Sequence, residues 1–138
     1  MSFAQQLMDA WNTRKGENVA GLMAPDAVFE DFALGVVHHG RDEIAAFVAE
    51  TVAMSADVHF ELVSNQETMF GYCVEWVMKG THTGPAAGIP ATNKPFAIPG
   101  VSVGVLEGGL VKQNHDYWNM AAFLAQLGLM PAPPPSAG

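Results

Sequence analysis

Leu110-Val111-Lys112-Gln113-Asn114-His115-Asp116-Tyr117-Trp118-Asn119 is the stretch from which the rest of this chain is read. A glycine turn, Glu107-Gly108-Gly109, precedes it, and a short apolar helix, Met120 to Leu129, follows. With Phe96 to Leu106 it forms a predicted hairpin. Strand alternation sets Asn114, Asp116 and Trp118 on one face and Val111, Gln113, His115 and Tyr117 on the other. A three-residue turn with a glycine bulge puts Gly100 opposite Asp116 and leaves open space before the carboxylate. An acid held against rings is where a carboxyl pKa rises towards neutrality and proton transfer becomes possible.

Towards the N-terminus, Phe3, Leu7, Met8 and Trp11 recur at helical spacing, with Ser2 as N-cap. A second helix is predicted for Glu17 to Met23, a strand for Ala27 to Phe32 and a third helix for Arg41 to Met54. Ile44, Phe47, Val48 and Val52 lie on one side of that third helix. Asp57 to Gln66 and Met69 to Thr81 read as strands with a turn around Asn65-Gln66-Glu67. A Gly/Pro loop, Gly84 to Asn93, separates them from the hairpin. Helices first and antiparallel strands afterwards predict an α+β domain over residues 1–130, a curved sheet closed by helices around an apolar cavity. Pro131 to Gly138 is Pro-rich and is expected to be disordered.

The chain has 138 residues, 49% of them hydrophobic and 14% charged, which suits one domain with a real core. A net charge of −8 argues against nucleic acid, anionic membranes and phosphate-rich ligands, all of which need a basic face. The lone Cys73 cannot form an internal disulfide, and its place among apolar residues reads as a small buried side chain. With no signal-peptide pattern and no membrane-length apolar run, a cytoplasmic protein is expected. The five histidines show no HxH or HExxH spacing, and no G-x-G-x-x-G opens a helix, so neither a metal nor another cofactor is expected.

Three segments carry a resemblance: Pro25-Asp26-Ala27-Val28-Phe29-Glu30-Asp31; Gly80-Thr81-His82-Thr83-Gly84 with Gly88-Ile89-Pro90-Ala91-Thr92; and Asp116-Tyr117-Trp118. Together they make the chain similar to the SnoaL-like polyketide cyclases within the nuclear transport factor 2-like superfamily. That resemblance implies a cystatin-like α+β cone around a deep hydrophobic pocket. It also implies a cofactor-independent enzyme in which Asp116 is general acid/base for an intramolecular aldol closure. The histidine that some of these cyclases carry on the preceding strand is replaced here by Ser102 or a neighbour. Asn93 stands where the family has glycine. A homodimer or higher homo-oligomer through the outer sheet face is implied as well.

Asp116 is the first catalytic candidate; as a structural residue it would instead bond a loop or cap the last helix. Asp31, at the end of the first strand, resembles the base of ketosteroid isomerases, and either lines the pocket or makes a loop contact. The oxyanion donors of those isomerases fall on Leu7 and the Val101-Ser102 region. Limonene epoxide hydrolases need a strand arginine, whereas Arg14 and Arg41 lie in or beside helices and Glu75 points to the other face. His82 could cover the pocket mouth, and is grouped with Asp116 and Asp31 as catalytic. His38 and His39 read as a solvated loop. Trp76, Tyr72, Trp118, Asn114 and Ser102 are the expected binding residues for a small apolar, carbonyl-bearing molecule. The contrasting expectation is a non-catalytic binding or dimerisation domain on the same cone.

Overall fold

The structure, a computed structural model, describes residues 1–131. The Pro-rich tail expectation therefore falls almost wholly outside the described residues. The elements follow as α1 (Phe3–Asn12), α2 (Gly16–Ala20), β1 (Met23–Asp31), β2 (Val36–His39), α3 (Gly40–Met54), β3 (His59–Thr68), β4 (Gly71–Thr81), β5 (Pro95–Glu107), β6 (Leu110–Trp118) and α4 (Met120–Gln126). This is the expected α+β architecture.

The six strands form one sheet in the order β2-β1-β6-β5-β4-β3. All neighbours are antiparallel except β1 and β6. The Ser2 hydroxyl caps α1 by accepting from Gln5 N–H, and α1 buries Leu7, Met8 and Trp11. Burying such side chains contributes roughly 1.5–3 kcal/mol each. α3 adds Ile44, Phe47 and Val48 to the same core. The Asn119 side chain caps α4 by accepting from Ala122 N–H, so Asp116 is free of that duty.

Several sequence expectations are corrected. α2 stops at Ala20, and Met23 belongs to β1, where it pairs with Val111 of β6. His38 and His39 form β2, an edge strand against β1, rather than a solvated loop. Asn65, Gln66 and Glu67 lie inside β3, and the chain turns at Met69 and Phe70. Cys73 is exposed on β4, because Tyr72 and Val74 take the inner face on either side of it.

The β5–β6 hairpin departs from the expected register. Glu107 pairs with Leu110, so only Gly108 and Gly109 turn the chain, with φ of +60° and +81°. Two successive positive φ values suit a tight two-residue hairpin turn that glycine adopts without strain. An irregularity then sits between Val105 and Leu106, which face Gln113 and Val111. That extra residue on β6 returns Val111 to the core instead of leaving it with Gln113 and His115. It also puts Ser102, not Gly100, opposite Asp116.

Candidate active site

The registers bring Val36, Asp31, Asp116, Ser102 and Val74 into one row across the inner face of the sheet. The pairing of β1 with β6 sets Asp31 beside Asp116, about 4.8 Å apart at strand spacing. A cavity of about 430 Å³ lies over this row. Asp31, Ser102, Asp116, Trp76 and Trp118 all line it. Trp11 of α1, Phe47 of α3 and Phe123 of α4 form walls, and Pro85, Ala86 and Ala87 form a rim. A volume of this size accommodates a small organic molecule.

Asp116 is buried, and both of its protein hydrogen bonds fall on one oxygen. Oδ1 accepts from Ser102 Oγ at 2.6 Å and from Asn114 Nδ2 at 2.8 Å. Among the described residues Oδ2 has no partner, and it is the oxygen left for a ligand. Burial chiefly, opposed by the Ser102 and Asn114 donors and aided by the negative charge of Asp31, raises the carboxyl to about 7. When Asp116 carries its proton, two donors already occupy Oδ1, so the proton sits on Oδ2.

Each of those donors is oriented from β4. Trp76 Nε1 donates to Ser102 Oγ at 2.9 Å, which turns the hydroxyl hydrogen towards Asp116. The Tyr72 hydroxyl donates to Asn114 Oδ1 at 2.6 Å, which turns the amide NH₂ towards Asp116. Burial, with the charge of Asp116, holds the Tyr72 phenol far above its ordinary range, so it remains a donor. The Trp76 ring lies over β5 and the Tyr72 ring crosses it to reach β6, and glycine on β5 lets them. A Cβ on Gly100 would lie 2.3 Å from Trp76 Cη2, and one on Gly104 would lie 2.1 Å from Tyr72 Cζ. Gly100 is therefore not open space before the carboxylate: the Trp76 indole fills it.

Asp31 combines both of the roles open to it. Oδ1 accepts from Leu34 N–H at 2.9 Å, and Oδ2 accepts from Trp118 Nε1 at 2.9 Å while the residue lines the cavity. His82 does not line the cavity. It is fully buried, and its Nδ1 accepts from Thr92 N–H at 3.2 Å. Its backbone carbonyl accepts from Asn93 N–H and its amide donates to Lys94 O, so it pins both ends of the loop that carries the rim. Asn93 has a φ of +58°, a left-handed position where asparagine is the next best choice after glycine. Tyr72 and Asn114 are likewise one layer behind the lining rather than on it. Sequence reading missed His38, which lines the cavity with its ring stacked on Phe47 at 4.5 Å. Val36-Val37-His38-His39 carries no apolar alternation in sequence, and only its burial in the folded strand alternates.

Neither Arg14 nor Arg41 lines the cavity: Arg14 Nε donates to Val58 O and Arg41 Nε to Met23 O. His115 faces away from Asp116, 4.0 Å from Glu30. Among the described residues no three His, Cys, Asp or Glu side chains converge as a metal-binding group.

A curved sheet wrapped by helices, with an acid at the floor of an apolar cavity, defines the class of cystatin-like, nuclear transport factor 2-like domains. Within that class this chain belongs to the SnoaL-like polyketide cyclase family, whose sequence pattern matches residues 2–127. A protein with a ketosteroid isomerase-like fold from Catenulispora acidiphila, solved with trimethylamine, is 26% identical, with a TM-score of 0.80 over 91% of this chain and 92% of that one. IdmH from Streptomyces antibioticus, a candidate polyketide cyclase, is 23% identical, with a TM-score of 0.77 over 90% and 94%. A cystatin-fold protein from Novosphingobium aromaticivorans is 20% identical, with a TM-score of 0.64 over 83% and 93%. No curated protein matches the chain.

Proposed function

We propose that this protein is a cofactor-independent enzyme that closes a ring on an apolar, carbonyl-bearing small molecule, with Asp116 as general acid/base. The observation that carries the reading is Asp116 itself, a cavity-lining residue with both hydrogen bonds on Oδ1, Oδ2 without a partner among the described residues and a pKa near 7. At neutral pH such a group is populated in both forms, the condition under which one residue serves as base and then acid. The ionised carboxylate takes a proton from carbon next to a carbonyl, and the resulting enolate attacks a second carbonyl of the same molecule. The C–C bond forms as that carbonyl π bond opens to an alkoxide, which recovers the proton from Oδ2. Membership of a family that contains polyketide cyclases supports this reaction class.

Asp31 and His82 act at one remove. Asp31 holds Trp118 against the cavity and contributes the negative charge that lifts Asp116. His82 keeps the rim loop closed over the pocket. The outer sheet face exposes Phe32, Val103, Val105 and Tyr117, an apolar strip that we assign to a second copy of the chain. Light scattering tests it, and a strict monomer at working concentration overturns it. Among the described residues no helix is long and apolar enough to cross a membrane. An exposed free thiol at Cys73 fits a reducing compartment, and we place the protein in the cytoplasm.

The test is Asp116→Asn assayed on a linear aryl triketone, with ring closure followed by mass-resolved chromatography. Turnover should fall by roughly 10²–10⁴-fold with binding retained. Unchanged turnover refutes the assignment.

A further inference from the structure

The electrostatic character of the cavity goes beyond what a neutral ketone requires. Asp31, Glu50 and Asp116 line it together with His38, whose Nε2 has no protein partner among the described residues, and no Lys or Arg does. Asp31 is 3% exposed and Asp116 8% exposed, yet neither has a cationic partner. The ion pairs of the described residues, Lys79 with Glu61, Lys112 with Asp26 and His115 with Glu30, all lie elsewhere. Buried carboxylates are normally paired with a positive charge, because taking an anion out of water is costly. Here the two inner acids are neighbours on adjacent strands, both line the cavity, and Asp116 Oδ2 has no partner among the described residues. Among the described residues no Lys or Arg answers these carboxylates inside the cavity, where His38 is the titratable base.

The walls are of a matching kind. Trp11, Phe47, Phe60, Trp76, Trp118 and Phe123 line the cavity. Phe47 and Trp11 stand edge to face with centroids 6.3 Å apart, and Phe60 and Trp76 do so at 5.2 Å. Ring faces carry partial negative charge, and a cation within about 6 Å of a face gains roughly 0.5–2 kcal/mol. An alkylammonium group satisfies both features at once: its methyls pack on the rings while its charge answers the carboxylates. An anionic ligand is repelled by the same arrangement.

We propose that the cavity is an organic-cation site, and that the ligand of this protein is an amine-bearing molecule whose ammonium group lies between Asp31, Asp116 and the aromatic walls. This deepens the reading of Asp116 as acid/base and rests on it for the chemistry, although the binding preference stands without it. A cation beside Asp116 favours its ionised form, the form that removes a proton.

Calorimetric titration with choline and with its neutral carbon isostere, 3,3-dimethylbutan-1-ol, tests the proposal without any turnover. Choline should bind about tenfold more tightly, and 3,3-dimethylbutanoate should not bind. A purely apolar cavity gives the opposite order, because choline is costlier to desolvate. Asp31→Asn should remove the preference, read as the ratio of choline to alcohol affinity within the same variant, since the lost acceptor also frees Leu34 N–H or Trp118 Nε1. Asp116→Asn, whose amide oxygen can keep both hydrogen bonds on Oδ1, serves as a second neutralisation should the first fail to fold. Equal or reversed affinities in the unaltered protein, or a preference that survives neutralisation, overturn the organic-cation site. Loss of turnover in Asp116→Asn with no choline preference would leave the acid/base assignment standing and this one refuted.

Discussion

Replacing Asp116 by Asn should make the protein more stable as it makes it inactive, by an amount that depends on pH. The carboxyl ionises near 3.8 in the unfolded chain and near 7 in the fold, chiefly because burial penalises its charge. The folded state therefore binds that proton about a thousandfold more tightly, which converts to about 4 kcal/mol. The sign follows from the raised value: the contribution to stability is fully present below pH 3.8 and is lost as pH rises through 7. Asparagine avoids the loss, since it is neutral throughout and its carbonyl oxygen can accept from Ser102 and Asn114 as Oδ1 does. At pH 8 the variant should gain up to about 4 kcal/mol, which is roughly 10–15 °C in Tm for a domain of this length. Near pH 3.5 the two proteins should melt within about a degree of each other, because both then carry a neutral group. Calorimetric or dichroic melts of both proteins across that range decide the matter. A difference that stays constant with pH, or an asparagine variant less stable at pH 8, refutes the claim that Asp116 is held protonated by burial.

Ser102→Ala removes one donor to the ionised carboxylate, worth about 1.5–3 kcal/mol. The rising limb of the pH–rate profile should move from about 7 upwards by about one to two pH units; a limb that stays put or moves to lower pH shows that Ser102 does not tune Asp116. Gly104→Ala drives a methyl into the Tyr72 ring and should cost about 1–3 kcal/mol in a denaturant melt. It should also slow turnover, since the Tyr72 hydroxyl then loses its hold on Asn114; full activity with full stability would mean that the ring does not need to cross β5.

Much of the fold is visible in the residues because it is encoded locally. Helical spacing of Leu7, Met8 and Trp11, the Ser2 cap and the glycine pair before Leu110 each report on a few neighbouring positions. The helices-then-strands order and the family segments around Asp31, His82 and Asp116 lead to the cone with its pocket. β2 escaped because Val36 to His39 is a four-residue edge strand whose partner is β1. Cys73 was misjudged because apolar neighbours in sequence lie on the opposite face of a strand. Tyr72 and Asn114, expected to contact ligand, lie outside the cavity lining and bond each other. Their distance from the cavity depends on Gly104, which admits the Tyr72 ring across β5.

What the sequence by itself determined was the inward face of the last strand: alternation at period 2 is a property of the extended backbone, and it puts Asn114, Asp116 and Trp118 on one side whatever surrounds them. Only the tertiary structure decided what stands beside Asp116. A two-residue turn and a bulge select Ser102 over Gly100, and the pairing of β1 with β6 brings in Asp31 from 85 positions away. Those registers are set by where the bulge falls and by which faces the whole core must bury. The pKa of Asp116 follows from them, because desolvation and a neighbouring charge exist only once the distant strands have met.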